Sequence, residues 1–309
     1  MNDRERFLAT MFYRERDRCP WGEMGFWPET LKRWHREGWP EDVEIRQFFG
    51  FDRLREQVDV SLAFVPAFDE QVLEESDRYR IVRRDTGVIA KEFKGELSYH
   101  MPQWLRFPLE TRQDWERSIK PRLDPDSAAR YPSDWGEKVR MWRQRDYPLT
   151  LRMGSIFGWL RNWMGLERIC ATLYDDPEWI QEMMDYLAEF CCACGKRALG
   201  DLDLDYILLW EDMAYKTAPM ILLDMFRRFM LKPYKKLTGF IRDHGIELII
   251  VDSDGHAEPL IPLWLEGGVN GFYPYRKGGQ HGRCPSAPTV WQGIAPSGRH
   301  RQEGHDSRP

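Results

Sequence analysis

Tyr206-Ile-Leu-Leu-Trp210 is an apolar run that ends at Glu211-Asp212, and it is the strongest indication of the fold. A second stretch of the same kind, Glu247-Leu-Ile-Ile-Val251, stops at Asp252-Ser-Asp254. Short apolar runs without alternation are typical of strands buried on both faces, and such strands belong to parallel sheets. In parallel α/β folds the active site lies where the strands end. The two acidic ends therefore predict both a parallel sheet and the edge of it that carries function.

On either side of these two stretches, helical and strand patterns alternate along the chain. Further strands are predicted at Cys19–Phe26, Val58–Phe68, Leu149–Met153 and Gly271–Tyr275. Apolar residues at helical spacing predict a helix over Pro177–Leu199. The alternation of strands and helices favours a parallel sheet. Residues 79–93, with Asp85-Thr-Gly87 at their centre, predict an antiparallel hairpin inserted into it.

Composition narrows the class of protein. The 309 residues carry a net charge of -5, which disfavours a general nucleic-acid partner. The chain has no apolar run near the roughly 18 residues that span a bilayer, so no membrane partner is expected. Met1–Arg18 is charged throughout and lacks a signal-peptide core, so a cytoplasmic location is the expectation. Cys191, Cys192 and Cys194 are interpreted as small apolar residues of a helix, with soft metal ligation as the alternative.

Three predicted strand ends supply the candidate site residues. Trp21, Glu23 and Phe26 follow the first strand, and Tyr215 and Lys216 lie just beyond Glu211-Asp212. The third group, after the Val251 strand, is Asp252, Asp254 and His256. We expect these groups to converge on one cleft, with a small-molecule substrate bound by Trp21, Glu23, Phe26, Tyr215 and Lys216.

The acidic residues leave more than one role open. Carboxylates close together in a partly desolvated cleft have pKa values pushed apart, which suits general acid and base catalysis. Glu211, Asp212, Asp252, Asp254 and His256 are the predicted catalytic set. Asp252, Asp254 and Glu211 could equally hold a divalent metal, zinc or a harder ion. An Asp after a buried strand also often caps the next helix.

In combination, three segments resemble the uroporphyrinogen decarboxylase superfamily, which includes corrinoid-dependent methyltransferases. They are Leu151–Arg161, Tyr206–Lys216 and Ile249–His256, within a resemblance that covers about Asn2 to Tyr275. The resemblance implies a TIM-like (β/α)8 barrel with its substrate at the carboxyl rim. Within it the chain looks like the branch of decarboxylase-domain proteins without an assigned substrate.

Departures from the family patterns shape the functional expectation. The decarboxylases read their substrate with an Arg-containing stretch, where this chain has Glu23–Thr30 without Arg. An acidic rim does not suit a substrate with many carboxylates, which needs cations. The methyltransferases bind zinc through His-x-Cys, where this chain has Asp252-Ser-Asp254. Hard oxygens replace soft thiolate ligation at that place.

Residues 276–309 do not continue the pattern. They contain six Gly and four Pro but no Leu, Phe, Tyr or Met, a composition typical of a disordered tail. Family relatives continue with a helix and two more strands. Codons can be chosen for Gly293–Arg301 such that translation from the second base of each codon gives Gly-Gly-Ile-Asp. Family relatives have a motif of this kind in the corresponding region. We therefore expect a barrel domain over 1–275 with about six of eight strands. We expect residues 276–309 to be a tail that is translated in a shifted reading frame and does not belong to the barrel.

Three functions follow as expectations. The first is an enzyme that transfers a methyl group with a corrinoid protein as partner. The second is a decarboxylase of the uroporphyrinogen type, which needs no metal or other cofactor and uses the same cleft. The third is a truncated barrel without activity, because open parallel edges leave an uncovered core.

Overall fold

The computed structural model describes residues 1–23, 25–94 and 101–273. Its strands, in chain order, are β1 (Glu56–Gln57), β2 (Gln71–Glu75), β3 (Tyr79–Arg83), β4 (Ile89–Phe93), β5 (Gln103–Arg106), β6 (Leu149–Arg152), β7 (Tyr206–Trp210), β8 (Ile249–Asp252) and β9 (Gly271–Tyr273). They form two sheets. One is parallel with the order β1-β6-β7-β8-β9, and the other is antiparallel with the order β2-β3-β4-β5.

The α-helices of the described residues mostly follow or precede the parallel strands. They are α1 (Asp3–Met11), α2 (Pro28–Glu37), α3 (Ile45–Phe49), α4 (Arg112–Asp114), α5 (Trp135–Arg143), α6 (Phe157–Met164), α7 (Leu166–Asp175), α8 (Pro177–Asp201), α9 (Leu223–Met225), α10 (Leu231–Asp243) and α11 (Ile261–Glu266). A π-helical turn, Phe226–Met230, joins α9 to α10 just before Pro233. Because proline lacks an N–H group and its ring crowds the preceding turn, a local change of helical hydrogen bonding is expected there.

The core lies mainly on one side of the parallel sheet. Ile207 and Leu209 point into it and pack with buried residues of α8 and α10. Tyr206 and Leu208 point the opposite way, as alternation along a strand requires. They belong to a smaller cluster that Phe7 and Met11 of α1 cover. Both faces of β7 are therefore buried, as its unbroken apolar sequence predicts.

The first two predicted strands are wrong in position or extent. Cys19–Phe26 contains no strand in its described residues, and the predicted strand over Val58–Phe68 is replaced by the short β1. The buried Arg130 explains part of this difference. Its guanidinium donates to the carbonyl oxygens of Ser61 and Ala63 at 3.0 and 2.9 Å. A side chain thus satisfies carbonyl groups that a neighbouring strand would otherwise pair.

The inserted hairpin is confirmed and is larger than predicted. β3 and β4 pair in antiparallel register from Tyr79–Phe93 to Arg83–Ile89. β2 and β5 add one strand on each side, which makes a four-stranded sheet. The turn between β3 and β4 contains Gly87 at φ +81°, a conformation that side chains rarely adopt. The insertion is therefore a second sheet, separate from the parallel one.

Other expectations have mixed outcomes. Cys191, Cys192 and Cys194 lie on α8, as predicted, and burial raises the pKa of Cys192 to about 11 and that of Cys194 to about 12. None of the helices in the described ranges is long and apolar enough to cross a membrane. The tail at 276–309, its predicted change of reading frame and the boundary at 275 lie outside the described residues.

Candidate active site at the carboxyl edge of the parallel sheet

The ends of β7 and β8 lie side by side, because Trp210 pairs with Asp252 in the sheet register. The chain stays paired beyond the strands. The backbone N–H groups of Glu211 and Asp212 both donate to the carbonyl oxygen of Asp252, at 2.9 and 3.2 Å. The structure therefore brings the second and third predicted groups of site residues to one edge.

The loops that follow these strands are also in contact. The backbone N–H of His256 donates to the carbonyl oxygen of Tyr215 at 2.6 Å. Gly255 has φ +80°, and a Cβ placed there would lie 2.3 Å from the carbonyl oxygen of Ala214. Only glycine permits this approach of the two backbones.

Glu211 is buried and faces the start of α6. Its carboxylate accepts five hydrogen bonds of 2.6 to 2.9 Å, from Ser155 Oγ, the backbone N–H groups of Ile156, Phe157 and Gly158, and Tyr234 Oη. The first N–H groups of a helix have no partner within it, and a negative charge there is favourable. Burial, and then the carboxylate of Glu211, raise the pKa of Tyr234 well above its usual value. Glu211 therefore anchors α6 to the end of β7.

The predicted three-carboxylate metal site is not formed by the residues that the structure describes. Nowhere in these ranges do three His, Cys, Asp or Glu side chains lie close enough together to hold a metal ion. Successive residues of a strand point to opposite faces. Glu211 points toward α6, whereas Asp252 shares the face of Trp210, with which it pairs. A metal ion at Glu211 would have to displace donors from both carboxylate oxygens.

Asp252 has an altered protonation equilibrium. Burial raises the pKa of its carboxyl group above the usual value. The positive charges of Arg152 and Arg55 oppose this effect, and the negative charges of Asp254 and Asp212 add to it. Desolvation and like charges both disfavour a carboxylate. Asp252 therefore holds its proton to a higher pH than an ordinary aspartate does.

A cleft of about 680 Å³ lies between the antiparallel sheet and the first turns of α6. From the antiparallel sheet and its turn, Arg84, Asp85 and Trp104 line it. The opposite wall is formed by Trp159, Arg161 and Trp163 of α6, by Trp210 at the end of β7, and by Asp212 and Tyr215 beyond it. The volume and the aromatic lining with a few charged groups are typical of a small-molecule site.

Arg161, in the α6 wall of the cleft, contacts both Trp210 and Asp212. Its guanidinium lies 5.3 Å from the ring centroid of Trp210 and forms an ion pair with Asp212 at 3.4 Å. It also donates to the carbonyl oxygen of Asp212. Asp212 has φ +44°, a left-handed conformation that aspartate tolerates better than most residues. Arg161 thus fixes both the backbone and the carboxylate of Asp212.

Among the predicted substrate-binding residues, only Tyr215 lines the cleft. Trp21 is 60% exposed and its ring contacts that of Phe51, with centroids 5.9 Å apart. Phe26 packs on Trp34 at 5.1 Å, and Glu23 is exposed. The first predicted group therefore belongs to a separate aromatic cluster. Lys216 is exposed, and it does not line the cleft; nor do the half-buried Asp254 and His256.

Several cleft residues were missed by sequence reasoning. Trp159 and Trp163 are four residues apart, and their rings stack with centroids 5.7 Å apart. Two tryptophans at this spacing directly after a parallel strand are a usable signal, since they share one helix face near the strand end. For Arg84 and Trp104 no local pattern indicates the cleft, because the antiparallel sheet must first fold against α6.

Fold and site together define a class: a parallel α/β protein with an aromatic cleft at the carboxyl edge of its sheet. A solved methyltransferase from Methanosarcina mazei shares this fold, with a TM-score of 0.53 and 13% sequence identity. The likeness covers 96% of this chain and 81% of that chain. No family model matches the sequence, and no curated protein matches it.

Proposed function

We propose that this protein is an enzyme that transfers a methyl group from a small substrate bound in the aromatic cleft. The observation that carries the proposal is the cleft itself, where Trp210, Asp212 and Arg161 meet at the carboxyl edge of a parallel sheet. Active sites of parallel α/β folds lie at this edge. The fold shared with a methyltransferase supports this class of reaction.

The proposal includes membership of the uroporphyrinogen decarboxylase superfamily and a TIM-like barrel. The parallel strands follow one another in chain order across the sheet, which is the order that a barrel of this type requires. The methyl acceptor in the proposal is a corrinoid protein, which supplies a cobalt nucleophile when it docks.

The chain's own residues then bind and orient the substrate. Once the substrate is bound, the aromatic walls shield its methyl group from water, and the lower polarity strengthens the charge interactions around it. The carboxylate of Asp212 is held in place by Arg161. Asp252, whose pKa is raised by burial, lies beside Trp210 in the sheet but does not line the cleft. It is therefore proposed to protonate the group that loses its methyl through a water molecule. Asp254 and His256 are proposed to assist from the adjoining loop.

Uroporphyrinogen decarboxylation is the competing activity. Such a substrate needs cations that are free to bind carboxylates. In the cleft, Arg84 already pairs with Glu92 at 2.6 Å and Arg161 with Asp212 at 3.4 Å. The cleft therefore favours methyl transfer over decarboxylation.

The test is a methyl-transfer assay with the purified protein. Reduced cobalamin serves as acceptor, with a panel of methylated amines, ethers and thioethers as donors, and methylcobalamin formation is followed by its visible spectrum. We expect turnover with at least one donor and a loss of about 100-fold in kcat/KM for Asp212→Asn. Asp224→Asn, an exposed change outside the cleft, is the matched control with unchanged turnover.

Two results would count against the proposal. Conversion of uroporphyrinogen without methyl transfer would assign the chain to the decarboxylases. Absence of turnover with every donor, from a protein that unfolds cooperatively, would favour the inactive barrel.

A further inference from the structure

The cleft walls are unusually rich in indole rings. Trp104, Trp159, Trp163 and Trp210 all line it, together with Tyr215. Trp104 and Tyr215 are 45% and 54% exposed, so much of their surface is open to solvent. Indole offers the most electron-rich face among the aromatic side chains, and it attracts cations within about 6 Å of the ring centroid.

Two of these rings already hold cations of the protein itself. The guanidinium of Arg84 lies 5.3 Å from the ring centroid of Trp104. That of Arg161 lies at the same distance from Trp210. Both cations also form ion pairs, with Glu92 and Asp212, and both lie within the distance at which a ring face attracts a cation.

The charged groups around the cleft differ in whether they already have a partner. Arg84 pairs with Glu92, and Arg161 pairs with Asp212. Asp85 also lines the cleft, and its exposed carboxylate accepts no hydrogen bond from the described residues. Glu92 is shared with Arg80, at 2.8 Å, so the counted charges balance. Among the described lining residues, Asp85 is thus the charged group without an ion-pair partner, and an incoming cation can pair with it, whereas an incoming anion finds both guanidinium groups already paired.

We infer that the cleft recognises a methylated ammonium group, quaternary or tertiary, on a small substrate. The indole rings surround the methyl groups, and Asp85 supplies the opposite charge. This inference rests on the proposed function, since it makes one of the N-methyl groups the group to be transferred. A neutral methyl ether gains nothing from the charge of Asp85, and a carboxylate meets no unpaired guanidinium among the described residues that line the cleft.

Calorimetric titration with two probes of the same shape tests the inference. Choline carries a trimethylammonium head, and 3,3-dimethylbutan-1-ol carries the uncharged carbon equivalent. We expect choline to bind the full-length chain at least about tenfold more tightly, because the difference isolates the cation–π and charge contributions. Equal affinities would overturn the inference, and so would tighter binding of benzoate than of choline.

Paired variants locate the effect. Trp104→Ala and Asp85→Asn should each weaken choline binding about fivefold or more, with a smaller change for the neutral probe. Tyr174→Ala and Asp69→Asn change an exposed aromatic and an exposed acid outside the cleft, and they should leave choline binding unchanged. Equal losses in the two sets would show that choline binds elsewhere and would also overturn the inference.

The outcome is separable from that of the proposed function, because binding is measured without an acceptor. Choline binding in a protein that never forms methylcobalamin would support the ligand class and reject methyl transfer. Turnover of neutral donors by a protein that ignores choline would do the reverse.

Discussion

At the scale of single residues, the buried carboxylate of Glu211 connects the core to the cleft. Its hydrogen bonds reach the first turn of α6 on one side and Tyr234 of α10 on the other. Trp159 and Arg161, which line the cleft, are carried by α6. The position of the cleft wall thus depends on a side chain that does not line the cleft.

Glu211→Gln is predicted to destabilise the protein by about 2–4 kcal/mol. The amide NH₂ group faces donors where a carboxylate oxygen accepted them, so buried N–H groups lose their partner. Urea unfolding measures the change. The matched control is Glu189→Gln on α8, an exposed carboxylate that pairs with Lys236, for which a loss below about 0.5 kcal/mol is expected. Equal losses for the two variants would contradict the anchoring role.

At the scale of elements, the strands β6 to β9 and the long helix α8 follow from local pattern. Apolar runs and helical spacing are properties of neighbouring residues, and they survive in the fold because both faces of the sheet are buried. Local pattern does not predict the structure of the region before β2. Its aromatic residues satisfy a strand pattern, but Arg130 and Asp52 bind its backbone instead of a neighbouring strand.

The contact between the loops after β7 and β8 predicts that alanine substitution at two glycines lowers stability by different amounts. Gly245 and Gly255 have φ values of +84° and +80°, but only Gly255 approaches another backbone. Replacing either by alanine costs about 1 kcal/mol for the left-handed conformation. Gly255→Ala should cost about 1–3 kcal/mol more, because the added methyl group overlaps Ala214.

The comparison is made by urea unfolding of the two variants beside the unaltered protein. Because both glycines share the same strain, the difference between the variants reports only the loop contact. Indistinguishable stabilities would mean that the two loops separate easily, and that the candidate site is less rigid than the hydrogen bonds indicate.

At the scale of the whole molecule, a buried ion pair ties distant parts of the chain together. Asp205, just before β7, is 1% exposed and accepts from Arg4 of α1 at 2.7 Å and from Arg145 at 2.9 Å. It also accepts from the backbone N–H of Leu149 at the start of β6. The network therefore fixes α1 against the base of the parallel sheet.

Arg145→Ala is predicted to cost about 3 kcal/mol of stability, because its side chain is 2% exposed and its loss leaves a buried carboxylate with one of its two guanidinium partners. Arg4→Ala should cost only about 1 kcal/mol, since its side chain is 30% exposed and solvent can replace it. Thermal unfolding of both variants checks the order. A larger loss for Arg4→Ala would reverse the assignment of the buried partner.

The amino-acid sequence is sufficient to predict strands β6 to β9, the inserted hairpin and the edge of the sheet at which Asp212, Tyr215 and Asp252 lie, but not the strand that precedes β6 in the parallel sheet. Periodicity and strand ends are local, so they can be read from neighbouring residues. The positions of other side chains depend on long-range packing: Glu211 binds the start of a helix instead of joining a metal site, and Trp21 and Phe26 lie in a separate cluster.

The cleft itself was decided at the tertiary level too. Its walls come from the antiparallel sheet, from α6 and from the loop after β7, which are far apart in sequence. The side chains that meet in the cleft depend on how the antiparallel sheet packs against α6. They also depend on which buried donors each carboxylate can reach. Those distances are set by the whole fold, and no local pattern contains them.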